Sequence, residues 1–171
     1  MTTPVPDYTT MDAFQGVYRQ ATQSRGEGHV AAMMSFIFGQ AFPRQEGYIP
    51  EPQYRNSGGL TDVTTAHWRR DNTGRLRRAP FLITQTKRAS KQSSVREWHG
   101  AEDQLNGYLA PLATHHPQLY GIVAMGRKIK IYQYSHNLGR IRFLHGTEGP
   151  CDVKDNARAV INRLNYIKNN H

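Results

Sequence analysis

The chain is 171 residues long, enough for one domain with a buried core, and 37% of its residues are hydrophobic. It carries 22 Lys and Arg against 13 Asp and Glu, a net charge of +9 and a pI near 9.9, which favours a polyanionic partner such as nucleic acid. The single cysteine, Cys151, excludes an intramolecular disulfide framework and a cysteine-rich zinc site. The longest greasy stretch, residues 30–42, is too short to span a membrane and contains Ser35 and Gln40. The first residues lack the charged and apolar regions of a secretory signal, so an intracellular protein, cytoplasmic or nuclear, is expected.

Residues 1–10, rich in Thr and Pro, read as a flexible segment ahead of one domain over 11–171. The pattern predicts a helix over 11–23 and a second over 28–42, where Val30, Met33, Met34, Ile37 and Ala41 form a buried stripe that Pro43 ends. The period then changes. Residues 47–54 read as an irregular or edge strand, weakened by Pro50 and Pro52. Asn56-Ser57-Gly58-Gly59 is a turn, 60–68 a second strand, Asp71-Asn72-Thr73-Gly74 a turn, and 80–88 a third strand. Short turns between three strands predict an antiparallel meander. Helical spacing resumes at Trp98, Ala101, Leu105, Tyr108, Leu109 and Leu112, limited by Pro111. Residues 119–125 suit a buried strand reached by a right-handed parallel crossover. A further hairpin follows over 128–134 and 140–144, and a last helix over 153–168 is capped by Asp152 or Asp155.

Alternation on the third strand places Phe81, Ile83, Gln85 and Lys87 on one face. Gln85 and Lys87 therefore project together at the strand's end, beside the meander neighbour that carries Asp62. An acid and an amide oxygen there suit a hard divalent cation, Mg²⁺ or Mn²⁺. Such an ion activates water and offsets charge building on phosphorus, with Lys87 as an additional point charge. Gln104 and Tyr108, four apart on a helix, face the same way and can meet phosphate or a base. Basic residues crowd the 69–96 stretch, Arg69, Arg70, Arg88 and Lys91 among them, against only Asp71; Arg127, Lys128, Lys130, Arg140 and Arg142 form a second basic stretch. The histidines offer no two-ligand helical spacing, and Cys151 lacks a basic activator nearby, so neither a zinc site nor a catalytic thiol is expected.

Up to about Tyr134 the chain resembles the PD-(D/E)xK, or restriction-endonuclease-like, nuclease superfamily. Asp62 matches its acid on the second strand, and Gln85-Thr86-Lys87 matches its (D/E)-x-K on the third. The stretch Gln104-Leu105-Asn106-Gly107-Tyr108 resembles the Gln-x-x-x-Tyr element of the RecB-like branch. The resemblance implies an α/β fold, with a mixed sheet in α-βββ-α-β order, extended here by a hairpin and a C-terminal helix. It implies Asp62, Gln85 and Lys87 as catalytic residues, with Asp62 and Gln85 holding the metal. It implies a helix glutamate as well: Glu27 is the first candidate and Glu51 the second. Arg69, Arg70, Arg88, Lys91, Gln104 and Tyr108 would hold nucleic acid. Two departures stand out: Thr61 replaces the proline before the acid, and Gln85 replaces the second carboxylate. Three readings follow: a metal-dependent nuclease, a nuclease-like fold that only binds nucleic acid or protein, and an unrelated α/β partner-binding domain. None requires a membrane, and none sets an oligomeric state.

Overall fold

The β-branched and aromatic segments assemble into one mixed sheet, with helices on both of its faces. The structure, a computed structural model, describes residues 3–23, 26–52, 55–56, 59–60, 62–144 and 148–171. Its elements, in chain order, are α1 (Asp12–Gln23), α2 (Glu27–Ala41), β1 (Tyr48–Pro52), β2 (Arg55–Asn56), β3 (Gly59–Leu60), β4 (Val63–Arg70), β5 (Leu76–Lys87), α3 (Val95–Leu112), β6 (Tyr120–Met125), β7 (Lys128–Ser135), β8 (Arg140–Phe143), β9 (Cys151–Asp152) and α4 (Ala157–Asn169). The strands run β1-β4-β5-β6-β7-β8, with β9 also on β7, while β2 and β3 form a separate small hairpin.

β1, β4 and β5 are the expected antiparallel meander. β6 lies parallel to β5, pairing Leu82 with Tyr120 and Lys87 with Met125. The return that a parallel pair requires is supplied by α3. β7 and β8 close the sheet as an antiparallel hairpin. The two faces are separate cores. Val63, Leu82, Ile122, Ile129 and Ile131 pack with Val30, Met33, Met34 and Ile37 of α2 and with Val160 and Leu164 of α4. Ile83, Val123 and Tyr132 pack with Trp98, Leu105 and Leu109 of α3. Each large apolar side chain buried this way contributes about 1.5–3 kcal/mol. Two glycines permit close approaches between elements. A Cβ on Gly121 would lie 2.7 Å from a methyl of Leu105, so this glycine lets α3 sit down on β6. Gly126, at φ 55°, turns β6 into β7 where a Cβ would meet Ala89 at 2.8 Å.

Several boundaries differ from those expected. β4 starts at Val63 rather than residue 60, so Asp62 precedes the strand instead of lying within it. β5 starts at Leu76, before Pro80, because Arg77 and Arg78 continue the ladder opposite Arg69 and Trp68. The last helix starts at Ala157 behind Asn156 rather than at 153, and neither acid caps it. Asp152 instead accepts from the backbone N–H groups of Lys154 and Asp155 in the preceding turn. Residues 3–10, read from composition as a flexible segment, pack on the domain: Tyr8 is fully buried and its hydroxyl donates to the Val153 carbonyl at 2.7 Å. Thr61, the end of the expected first strand at 53–54, and Ser57-Gly58 of the expected turn lie outside the described residues. Among those residues no helix is long and apolar enough to cross a membrane.

Candidate functional site

Buried polar side chains gather at one place. Of the buried polar or charged residues among those described, Thr64, Thr65, Thr84, Gln85 and Thr86 lie together on β4 and β5, and only Asp152 and Lys168 lie elsewhere. A buried polar atom without a partner costs about 1–3 kcal/mol, yet Thr65 Oγ1, Thr84 Oγ1 and Gln85 Oε1 are all buried without one. Asp62 organises this end of the sheet. Its Oδ2 accepts from Gln85 Nε2 at 2.8 Å and from the Thr86 backbone N–H at 2.6 Å. Because the Gln85 amide nitrogen is turned to Asp62, its oxygen is the atom left over. Gln85 is 3% exposed.

Asp62 and Thr86 also line a cleft of about 450 Å³ against α2, together with Glu27, Gly28 and Ser35. α2 has Gly26 at its N-cap and no side-chain cap, so Glu27 sits in the first turn, where the helix dipole favours a negative charge. The structure thus brings Asp62 and Gln85 into hydrogen-bond contact and places Asp62 and Glu27 in one cleft. Glu51, the second candidate for the helix glutamate, is instead ion-paired with Arg78. Lys87 follows Gln85 on the α3 side of β5, outside the residues that line the cleft. There Lys91, which bonds Glu97 at 2.5 Å, holds the Glu97 carboxyl below its ordinary value, assisted by Arg96 and Lys87. Gln104 donates to the Tyr108 hydroxyl at 2.9 Å on the exposed side of α3, so the two bond to one another.

The basic residues divide into separate groups. Arg88 and Lys91 stand beyond the end of β5, near Lys87. Arg69 and Arg70 stand at the other end, in the β4–β5 hairpin, where Arg69 is opposite Arg77. Ten residues of strand separate Arg77 from Lys87, on the order of 30 Å. At the hairpin, Asp71 accepts from Thr73, Arg75 and Arg77; these bonds, those from Thr73 first, lower its pKa to about 2. Thr86 takes part through its backbone N–H and so has no signal in residue type. The small residues Gly28, Ala31, Ala32 and Ser35 of α2 also line the cleft, and their helical spacing is legible in the sequence as a face complementary to the apolar stripe.

What this fold and site define is an α/β protein with a mixed sheet, in which an acid and an orphaned amide oxygen meet at the end of a central strand. Set against protein-family models, curated proteins and solved structures, the chain matches none of them. Among the described residues no group of three or more His, Cys, Asp or Glu side chains is arranged to hold a metal ion.

Proposed function

We propose that the chain is a nuclease-like domain that hydrolyses phosphodiester bonds of DNA or RNA with a divalent cation, Mg²⁺ or Mn²⁺. The observation that carries this reading is the Asp62–Gln85 contact, which leaves a buried, unpartnered Gln85 oxygen beside a carboxylate. A hard cation takes oxygen ligands of this kind. Asp62 and Gln85 would hold it, with Glu27 completing the set from α2. The order α2, β1-β4-β5, α3, β6 is also consistent with the α-βββ-α-β core of the PD-(D/E)xK superfamily.

The bound cation supplies Lewis-acid charge and a water of lowered pKa. The chain's own residues do the rest. Asp62 is fixed by two N–H donors, so its carboxylate is positioned before any ligand arrives. Lys87 leaves β5 on the α3 side, and from the strand's end it would bring a compact positive charge round the sheet edge to the phosphate undergoing attack. The N-terminus of α2 offers backbone N–H groups at the cleft, a suitable cradle for a phosphate, and Arg88 and Lys91 extend positive charge along the substrate. Cleavage of mixed DNA and RNA substrates tests the reading. The wild type should cut with Mg²⁺ or Mn²⁺, and Lys87→Ala and Asp62→Asn should each lose about 10²–10³ in rate. Undiminished cleavage in both variants would reject the site.

A second reading, a fold that binds nucleic acid without cutting it, is favoured by one observation: the second carboxylate is Gln85, so the pair carries a single negative charge. It predicts no cleavage by the wild type and a gain on Gln85→Glu.

A further inference from the structure

A second cleft, about 400 Å³ in volume, opens on the α3 face, on the other side of the sheet from the Asp62 cleft, between α3 and the β7–β8 edge. Its floor is held rigidly. Glu102 of α3 accepts from the Tyr132 hydroxyl at 2.5 Å and from Lys130 Nζ at 2.8 Å. Burial pushes the Glu102 carboxyl up, but the bonds from Lys130 and Tyr132 outweigh burial and hold it below its ordinary value. The Tyr132 ring is thereby fixed, and it is almost fully buried. Phe143 stacks on it with ring centroids 5.1 Å apart and planes at 25°. Phe143 itself remains 38% exposed. Tyr132 covers its inner face and Lys130 Nζ lies over the ring 5.7 Å from its centroid, so the exposed area is the outer face: a flat aromatic surface, ordered in advance.

The surroundings choose among ligands. Arg140 and Arg142 leave β8 on the face opposite Ile141 and Phe143, but β8 is the edge strand and both line the same cleft from its rim; both are exposed, and among the described residues neither has an ion-pair partner. A peptide adding to the free edge of β8 would need the outward N–H of Ile141, but Asn106 Oδ1 already accepts it at 2.9 Å. Backbone pairing is therefore obstructed, and recognition falls to one ring and two guanidinium groups. Every nucleobase presents a π-face to such a ring, and the phosphates beside it suit arginine. A paired base, stacked inside a duplex, cannot reach the ring.

We propose that this cleft binds an unpaired base of a single-stranded nucleic acid, stacked on the outer face of Phe143, with the flanking phosphates on Arg140 and Arg142. The proposal is independent of cleavage at the Asp62 cleft, because it concerns the opposite face of the sheet and needs no metal.

The test is fluorescence anisotropy of the full chain in EDTA, comparing a labelled oligothymidylate with an abasic strand of the same length. The wild type should bind the base-bearing strand at least about fivefold more tightly, the lower end of what one stacked base provides. Phe143→Leu, which keeps apolar bulk on Tyr132, should remove most of that preference and leave abasic affinity unchanged. Phe143→Trp should keep or raise it. Arg140→Gln with Arg142→Gln should weaken both strands equally. Equal wild-type affinity for the two strands, or an undiminished preference in Phe143→Leu, would overturn the proposal. So would displacement of the strand by polyglutamate as effective as displacement by unlabelled oligothymidylate, since the cleft would then be reading charge alone.

Discussion

The two ends of β5 are opposite solutions to placing polar groups on one strand. At the hairpin end, Arg69, Arg70, Arg75 and Arg77 stand in solvent around Asp71: Arg77 pairs with Asp71, and Arg70 donates to the Gly74 carbonyl. At the other end, Thr84, Gln85 and Thr86 are buried, and two of the three keep a side-chain atom without a partner. The first end is rich in charge and costs the fold little; the second is poor in charge and carries an unresolved cost. Trp68 Nε1 and Gln92 Oε1 are also buried without a partner, so it is the unsatisfied Gln85 oxygen beside a carboxylate, not charge density, that marks the place where a ligand would repay the fold.

The contrast can be broken by substitution. The largest effects belong to the apolar residues beneath the buried end. Ile83→Ala and Ile122→Ala, fully buried on opposite faces of the sheet, should each lower unfolding free energy by about 2–5 kcal/mol in denaturant melts. Wild-type melting in both would show that the two cores are misplaced. At the hairpin end, Arg77→Gln should leave the melting temperature near that of the wild type, because exposed pairs contribute little. A large loss there would erase the distinction between the two ends.

Acid titration sharpens the same contrast at a third position. His67 and His171 meet at 3.0 Å, and their other ring nitrogens face the carbonyls of Glu46 and Ile167. Two neutral rings bring two N–H protons to three contacts, so one contact goes unmade. Burial lowers the pKa of His171 to about 4, with His67 and Arg69 adding repulsion against the bond to Ile167. Burial, and then Arg69, lowers His67 too. The unfolded chain thus takes up the proton first. The stability contribution is complete above the unfolded pKa near 6.5 and is lost as pH falls from there toward 4, by up to about 3 kcal/mol for His171. Glu46, ion-paired with Lys168 nearby, stays charged through most of that window, since Lys168 overcomes burial and holds its carboxyl below the ordinary value. His171→Gln should flatten the melting temperature between pH 7 and 5; an unchanged slope would contradict this account.

The smallest effect is on binding. The hairpin arginines and the Lys87–Lys91 group lie at separate ends, so no short strand can neutralise both at once. Removing Arg69 and Arg70 should reduce the salt slope of oligonucleotide binding by at most about 0.9 per lost phosphate contact. Loss of all binding on that change would instead place the nucleic acid at the hairpin.

Much of the fold was legible because its signals are periodic. The Val30–Ala41 stripe, the alternation of Lys128 and Lys130 with Ile129 and Ile131, and the long connection between β5 and β6 each dictate an element or its pairing. The site was legible only in part. Asp62 and Gln85 are residue types that carry chemistry, but the Thr86 amide and the orphaned Gln85 oxygen exist only once the strands pair. The run from Arg69 to Arg96 read as one patch because sequence proximity hides the length of β5, which carries its two ends apart. The His67–His171 contact, 104 positions apart, has no local pattern at all.

The central claim, that Asp62 and Gln85 form a site for a divalent cation, is most directly tested by thermal melting under Mg²⁺ or Mn²⁺ titration in the wild type, Asp62→Ala and Gln85→Glu. A cation that binds only the folded chain stabilises it by about 2.7 kcal/mol at a hundred times its Kd. The account predicts a saturable rise in the wild type, none in Asp62→Ala, and a rise at lower metal concentration in Gln85→Glu, where a second carboxylate replaces the orphaned oxygen. An equal rise in Asp62→Ala, or none in either wild type or Gln85→Glu, would contradict it.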